Sequence, residues 1–329
     1  MNPIAGYDAC KSVVINHTGD GAQTNYQMKL TIIKGDGADS TGVLYADNKC
    51  TNWPNDVRFT KVDGVSLLDF WREEYDATDG TWWIEVDSIP AHPDDATIYV
   101  HVGDADAADA SSGAATFLFF DNFDGDLAQW EGDTAAAAIA SSIMTLTSTA
   151  SAWKYIRGTT NISGNVRCRI RSYRLDPVDP VVNSIGLAGD AAGDSADAVY
   201  SMGHFLINHP HGRWACLNTN VQTVFTDAVG DWNAYYTDDF MRVITGTDTA
   251  RAYHNGTQTG SDSTTNVPTV DLCAKVGSYG SSKYIKIDWV WLGNYTLNEP
   301  TFGAWGNWEA ASVAAMICMN MISSMAMMS

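Results

Sequence analysis

Apolar residues in this chain recur at every second position over short runs, and no stretch ahead of the C-terminus sustains the 3.6-residue spacing of an amphipathic helix. In "TIYVHVG", Ile98, Val100 and Val102 fall on one face, with Tyr99 and His101 on the other. One face is core and the other is wet. "SVVINHT", "YQMKLTII", "DVRFTKV" and "TWWIEVDSI" repeat the pattern, as do "NVRCRIRSY", "LCAKVGSYG" and "YIKIDWVWLGNY". Gly, Asp, Asn and Pro separate them, the punctuation of antiparallel sandwiches. The sharpest local signal is "FMRVITGTDTARAYHNGTQTG", where Asn255-Gly256 suits the positive φ angles of a type I′ turn and predicts a three-stranded meander. The alanine run "DTAAAAIASS" leads into "IMTLTST" and reads as strand or loop.

Length and charge narrow the class. The 329 residues exceed the roughly 100–200 of a usual single domain, so two cores are expected. Six Glu stand against 33 Asp, and the net charge is −20. A surface this acidic repels phosphate, which excludes nucleic acid and anionic lipid as partners. The Asp excess also fits a β-rich chain, because Asp favours turns where Glu favours helices. The start, "MNPIAGYDACKSVVINHTG", has no basic segment followed by an apolar one, so no secretory signal is visible. Six cysteines without a C-x-x-C pair read as buried free thiols rather than a zinc ribbon.

Two resemblances follow from particular strings. "GYDACKSVVINHT", "DVRFTKVDGVSLLDFWREEYDATDGTWWIEVDSIP", "ATIYVHVGDADAADASSG" and "ATFLFFDNFDG" resemble the β-sandwich catalogued as domain of unknown function 2341. "FDNFDGDLAQW", "RVITGTDTARAYHNGT" and "YIKIDWVWLGNYTLNEPTFGAWGNWE" are similar to the concanavalin A-like, laminin-G-type jelly roll. The expected architecture is all-β, with two antiparallel β-sandwiches in tandem. Residues 1–118 form a scaffold sandwich, 119–309 a lectin-like jelly roll, and 310–329 a Met-rich apolar tail. "TFLFFDNFDGDLAQW" is then the seam, and "NEPTFGAWGNWE" the closing edge of the second domain.

The residues available for chemistry point to binding. A glycoside hydrolase needs two carboxylates flanking the scissile bond. No Glu lies between Glu131 and Glu299, and the Asp residues of "DPVDP", "GDAAGDSAD" and "YYTDDF" read as turn formers. The lectin-like resemblance implies a calcium ion tying the first strand to the last, with Asp121, Asp124 and Asp288 as ligands. Asp288, flanked by Ile287 and Trp289, needs a partner, whether that ion, Lys286 or an arginine. Sugar platforms are sought among loop aromatics, because a sugar's C–H face stacks on an indole or phenol while Asp and Asn accept its hydroxyls. The candidates are Trp214, Trp232, Tyr235 and Tyr236, with Asp231, Asn233 and Asp238 beside them. "VRCRIRSYR" sets Arg167, Arg169 and Arg171 on one strand face, for an acidic partner surface or for Asp residues of the same molecule.

The tail "SVAAMICMNMISSMAMMS" is too short and too interrupted for the ~20 apolar residues of a membrane span. Its apolar character predicts burial against another copy or another assembly component, with Met316, Ile317, Met321 and Met325 at the contact. Taken together, the expectation is a non-catalytic surface or virion structural protein with a glycan-binding or adhesive module, extracellular or on a virion. The alternative is a secreted carbohydrate-active enzyme or its accessory module.

Overall fold

The alternating runs form strands, and their apolar faces close on two separate cores. A computed structural model describes residues 3–149, 152–174, 182–189, 201–208, 211–218, 221–229 and 233–311. Asp231, Trp232, Met316, Ile317, Met321 and Met325 lie outside the described residues. The strands run β1 (Ala9–Asn16), β2 (Gln23–Ile33), β3 (Val43–Tyr45), β4 (Arg58–Thr60), β5 (Phe70–Tyr75), β6 (Asp79–Ile89) and β7 (Ala96–Val102). A single helical turn, Gly113–Thr116, precedes β8 (Phe119–Asp121), β9 (Trp130–Gly132), β10 (Ala137–Ala140), β11 (Ile143–Ser148), β12 (Trp153–Gly158) and β13 (Val166–Arg174). There follow β14 (Val182–Gly189), β15 (Ser201–Asn208), β16 (His211–Asn218), β17 (Val221–Val229), β18 (Tyr235–Val243), β19 (Thr249–His254) and β20 (Thr257–Gln258). The last are β21 (Leu272–Tyr279), β22 (Lys283–Asn294), β23 (Thr301–Trp305) and β24 (Glu309–Ala310). No described helix is long and apolar enough to cross a membrane.

The first unit packs a sheet of order β23-β1-β7-β4 against one of order β3-β2-β6-β5. Alternation decides which residues meet: Val13 and Ile15 from β1, Leu30 and Ile32 from β2, Trp82 and Ile84 from β6, and Val100 and Val102 from β7 are all buried. Each such side chain contributes roughly 1.5–3 kcal/mol of burial.

The late strands correct the expected boundary. The chain divides into a unit ending at Thr116 that resumes at Asn298, and a second unit, Phe117–Leu297. β23 pairs with β1 rather than closing the second sandwich, with Asn16 opposite Thr301 and Ile15 opposite Phe302. Phe302 is buried in the first core. The Trp305 and Trp308 indoles donate to the Ser40 and Tyr45 carbonyls at 3.0 and 3.2 Å. Gly303 permits the approach, since a Cβ there would lie 2.4 Å from Asn16 Oδ1.

The second unit is a two-sheet jelly roll. One sheet runs β10-β11-β22-β13-β18-β19-β20, with β8 also on β22; the other runs β17-β16-β15-β14-β21-β12-β9. The chain changes sheet at each step from β11 to β14, and β21 and β22 return between strands laid down earlier. That interleaving explains how Cys168, Ile170, Phe240, Ile285 and Ile287 of one sheet meet Ile185, Leu187, Trp214, Ala274 and Val276 of the other. The predicted meander is present as β18-β19-β20, and Asn255 (φ 46°) with Gly256 (φ 77°) makes its second turn. The five described cysteines are buried and unpaired with one another.

Arg242 and Lys275 are buried cations of this sandwich. Arg242, fully buried, donates to the carbonyls of Gly164, Ile162, Pro268 and Val270, and burial lowers its pKa to about 10. Lys275 points to the outer side of the seven-stranded sheet, opposite Arg157 and Gly186. It is 3% exposed, with its ammonium 4.4 Å from the Tyr155 ring centre. Burial lowers its pKa to about 8.

Candidate functional site

The candidate site grows from the alternation of β13. Cys168 and Ile170 turn into the core, which leaves Arg167, Arg169, Arg171 and Tyr173 on the outer face of the eight-stranded sheet. Adjacent strands supply counter-charges. Asp239 of β18, directly opposite Arg169, forms an ion pair with it and lies 3.6 Å from Arg167 Nε. Asp288 of β22 lies 3.0 Å from Arg171 Nε. The arginine row therefore meets aspartates of its own molecule: Asp288 on the strand where it was expected, and Asp239, read as a turn former, on β18.

Asp288 reaches Arg171 through a β-bulge. The register runs to Arg171 opposite Trp289 and resumes with Ser172 opposite Ile287, so Asp288 is the extra residue. Ile287 and Val290 both stay in the core, while Asp288 and Trp289 stay off it. Burial raises the Asp288 carboxyl above its ordinary range, and Arg171 opposes that shift.

Around this pair lies an open aromatic face. Tyr173 stands opposite Tyr235 of β18 and Lys286 of β22. The Tyr173 and Tyr235 rings meet edge-on with centres 5.5 Å apart, and Tyr173 and Tyr284 lie nearly parallel at 6.5 Å. The Lys286 ammonium is 5.5 Å from the Tyr173 ring centre and 5.4 Å from that of Tyr284, and Arg171 is 5.7 Å from that of Tyr235. Thr145 opposite Lys286, Thr147 opposite Tyr284 and Thr237 opposite Arg171 add hydroxyls. All nine residues are half-buried. Burial, then the Asp288 charge, raises the Tyr235 phenol, keeping it protonated and able to donate. Phenol rings for C–H contact beside hydroxyls and charges can hold a saccharide.

Of the residues singled out in sequence, Arg171, Tyr235 and Asp288 belong to this face. Trp214 does not: it is 2% exposed, a member of the inter-sheet core on β16, edge-on to His254 at 5.5 Å. Asp238 is fully buried on β18 and lies 2.7 Å from His254 Nδ1; the Tyr236 ring lies 5.2 Å from the same imidazole. These three gather around His254, which the sequence reading missed; Trp214 and Asp238 are buried there, and Tyr236 and His254 are half-buried. Asn233 is exposed in a left-handed turn, φ 60°. Tyr173, Tyr284 and Lys286 were also missed; the alternation of "VRCRIRSYR" and "YIKIDWVWL" places them on the outer face once the core partners are known.

The calcium expectation does not fit the donor set. Calcium takes six to eight oxygens. Both Asp121 oxygens already accept hydrogen bonds, from Trp130 Nε1 and from the Phe123 amide, each at 2.7 Å. Asp124 is held by Ser142 and Asn122. Asp288 turns outward to Arg171, away from Phe123 and Trp130 in the core. Among the described residues no group of three or more His, Cys, Asp or Glu side chains is placed to hold a metal ion.

Comparison with known proteins gives fold likeness and one family match. The carbohydrate recognition domain of Emp47p aligns over 56% of this chain and 100% of its own, at 9% identity and a TM-score of 0.43. The Bacillus licheniformis beta-glucanase aligns over 54% and 98%, at 12% identity and a TM-score of 0.42. Likenesses of this size transfer no function. No curated protein matches the chain in sequence. Residues 53–133 match the family described as "Domain of unknown function (DUF2341)", a stretch that begins in the first unit and ends just after β9 of the second.

Proposed function

We propose that this chain is a non-catalytic surface or virion structural protein whose jelly roll binds glycans, and that the outer face carrying Tyr173, Tyr235 and Tyr284 is the binding surface. The observation that carries the reading is the half-buried cluster of three phenol rings with Thr145, Thr147 and Thr237, on a sheet whose opposite side is sealed in the core. A glycosidase needs two carboxylates about 5–10 Å apart. Among the described residues the two carboxylates this face offers, Asp239 and Asp288, are each engaged by an arginine, Arg169 and Arg171. Shallow platforms bury little area, so affinity is weak and depends on multivalent display.

The test is a glycan array probed with the wild type and with Tyr173→Ala and Tyr235→Ala. Binding that falls at least tenfold in both variants, with no sugar released, supports the reading. Reducing ends that appear with the wild type and vanish with Asp288→Asn would make it an enzyme instead. Display comes from the apolar tail, with Met316, Ile317, Met321 and Met325 against another copy or particle component, in an extracellular or virion setting. Removing residues 312–329 leaves both sandwiches folded and abolishes assembly; an unchanged oligomeric state by light scattering refutes that part.

A further inference from the structure

We infer that the saccharide held by the tyrosine face carries a carboxylate, as a uronic or sialic-type acid does, and that Lys286 and Arg171 are the groups that receive it. The inference rests on the reading of this face as a glycan site and adds the ligand's charge. The chain as a whole is strongly acidic at −20, yet around the tyrosines the sign inverts, with Arg171 and Lys286 against Asp288, while further along the same face Arg167 and Arg169 share Asp239. Arg171 and Lys286 are differently committed. Lys286 has the rings of Tyr173 and Tyr284 within 5.5 Å and no carboxylate partner among the described residues. A ring quadrupole attracts an ammonium without neutralising it, so its charge stays available to an incoming anion.

Arg171 meets Asp288 through Nε, and its side chain keeps 38% of its surface exposed. A guanidinium carries five N–H donors in a planar fork, so engaging Nε on one side leaves terminal donors for a second acceptor. A carboxylate is planar and fits that fork in a bidentate manner. Tyr173 lies between Lys286 and the Arg171–Tyr235 pair. A sugar ring over the tyrosines can therefore direct one carboxylate to either cation while its hydroxyls meet Thr145, Thr147 and Thr237.

Asp288 sets the pH response. The charged and titratable groups facing it are Arg171 from β13, Tyr235 from β18, and Lys286 and Tyr284 on its own strand. While ionised, Asp288 competes for Arg171 and repels a second carboxylate. Burial raises its carboxyl above the ordinary range, so it protonates at a higher pH than an exposed aspartate does. Binding then strengthens once falling pH protonates Asp288.

The experiment is an array of polygalacturonate, alginate, hyaluronate and sialylated mucin glycans, each beside its carboxyl-reduced form, with sulfated galactan and neutral glucans. It is probed with the full chain and with Lys286→Gln, Asp288→Asn and Tyr235→Ala. Binding to at least one carboxylated glycan ten times or more above its reduced form is expected, lost in Lys286→Gln and raised several-fold in Asp288→Asn at pH 7. Equal binding to acid and reduced forms overturns the inference and leaves the glycan reading standing. Preference for the sulfated galactan overturns the carboxylate assignment. Signal on none of the glycans, with Tyr235→Ala identical to wild type, removes both.

Discussion

Replacing Lys275 by Met is expected to stabilise the second unit, and by an amount that depends on pH. Lys275 sits almost fully buried against Tyr155, and burial takes its pKa from 10.5 to about 8. A shift of that size corresponds to about 3 kcal/mol of penalty on the charged form. The contact with Tyr155 returns ~0.5–2 kcal/mol, and Met preserves most of the aliphatic packing. The net gain at neutral pH is therefore about 2 kcal/mol, or a rise of ~4–8 °C for a unit of this size. Between pH 8 and 10.5 the unfolded chain still binds the proton that the folded chain has released, so wild-type stability climbs relative to the variant. The advantage of Lys275→Met is full below pH 8 and gone by pH 10.5. Thermal unfolding of both proteins from pH 6 to 10.5 reads it out as a difference, which cancels the tyrosines and thiols common to both. A variant less stable than wild type at pH 7, or a gap that stays constant across this range, would refute the burial argument.

Arg242→Met leaves carbonyls of Gly164, Pro268 and Val270 buried without their donor, at about 1–3 kcal/mol each, so urea unfolding should register a loss of at least ~3 kcal/mol in the second unit. Arg242→Lys should recover less than half of it, since an ammonium cannot span the same acceptors. Ending the chain after Leu297 removes β23, β24 and the Phe302 anchor, and should lower or abolish the first unit's transition while leaving the second intact. A single transition shifted as a whole would contradict the division into units. Chelation with EDTA should shift neither transition by more than ~1 °C, because the oxygens of Asp121 and Asp124 already have protein donors; a drop of several degrees would reinstate a structural cation.

What could be read from the sequence was what is local. The Asn255-Gly256 turn follows from two residues needing positive φ, and the inward positions of β7 and β13 from alternation, but His101, expected on the wet face of β7, is fully buried with its Nε2 2.9 Å from Thr60 Oγ1. Asp238 and Asp239 read as turn residues because their partners are distant: His254 is 16 positions away and Arg169 is 70. A carboxylate on a strand is tolerable only when such a partner exists, and sequence gives no register from which to find one. Trp214, expected in a loop, lies on β16, where the facing sheet covers it. The tyrosine face was hidden because its members come from β13, β18 and β22, which only the interleaved topology brings side by side.

The return of the chain to its first unit has a consequence during synthesis. β1 emerges from the ribosome with β7 as a partner, but its other neighbour, β23, is encoded beyond the whole second unit. At ~5–20 residues per second, the roughly 180 intervening residues take on the order of 10–40 s to appear. Throughout that interval one edge of β1 has no strand to pair with, and Phe302 is not yet available to cover the core beside it. The second unit, later in sequence, can thus complete its fold first. The earliest residues of the protein are among the last to reach their final state, and an unpaired edge of this kind invites strand exchange between nascent chains.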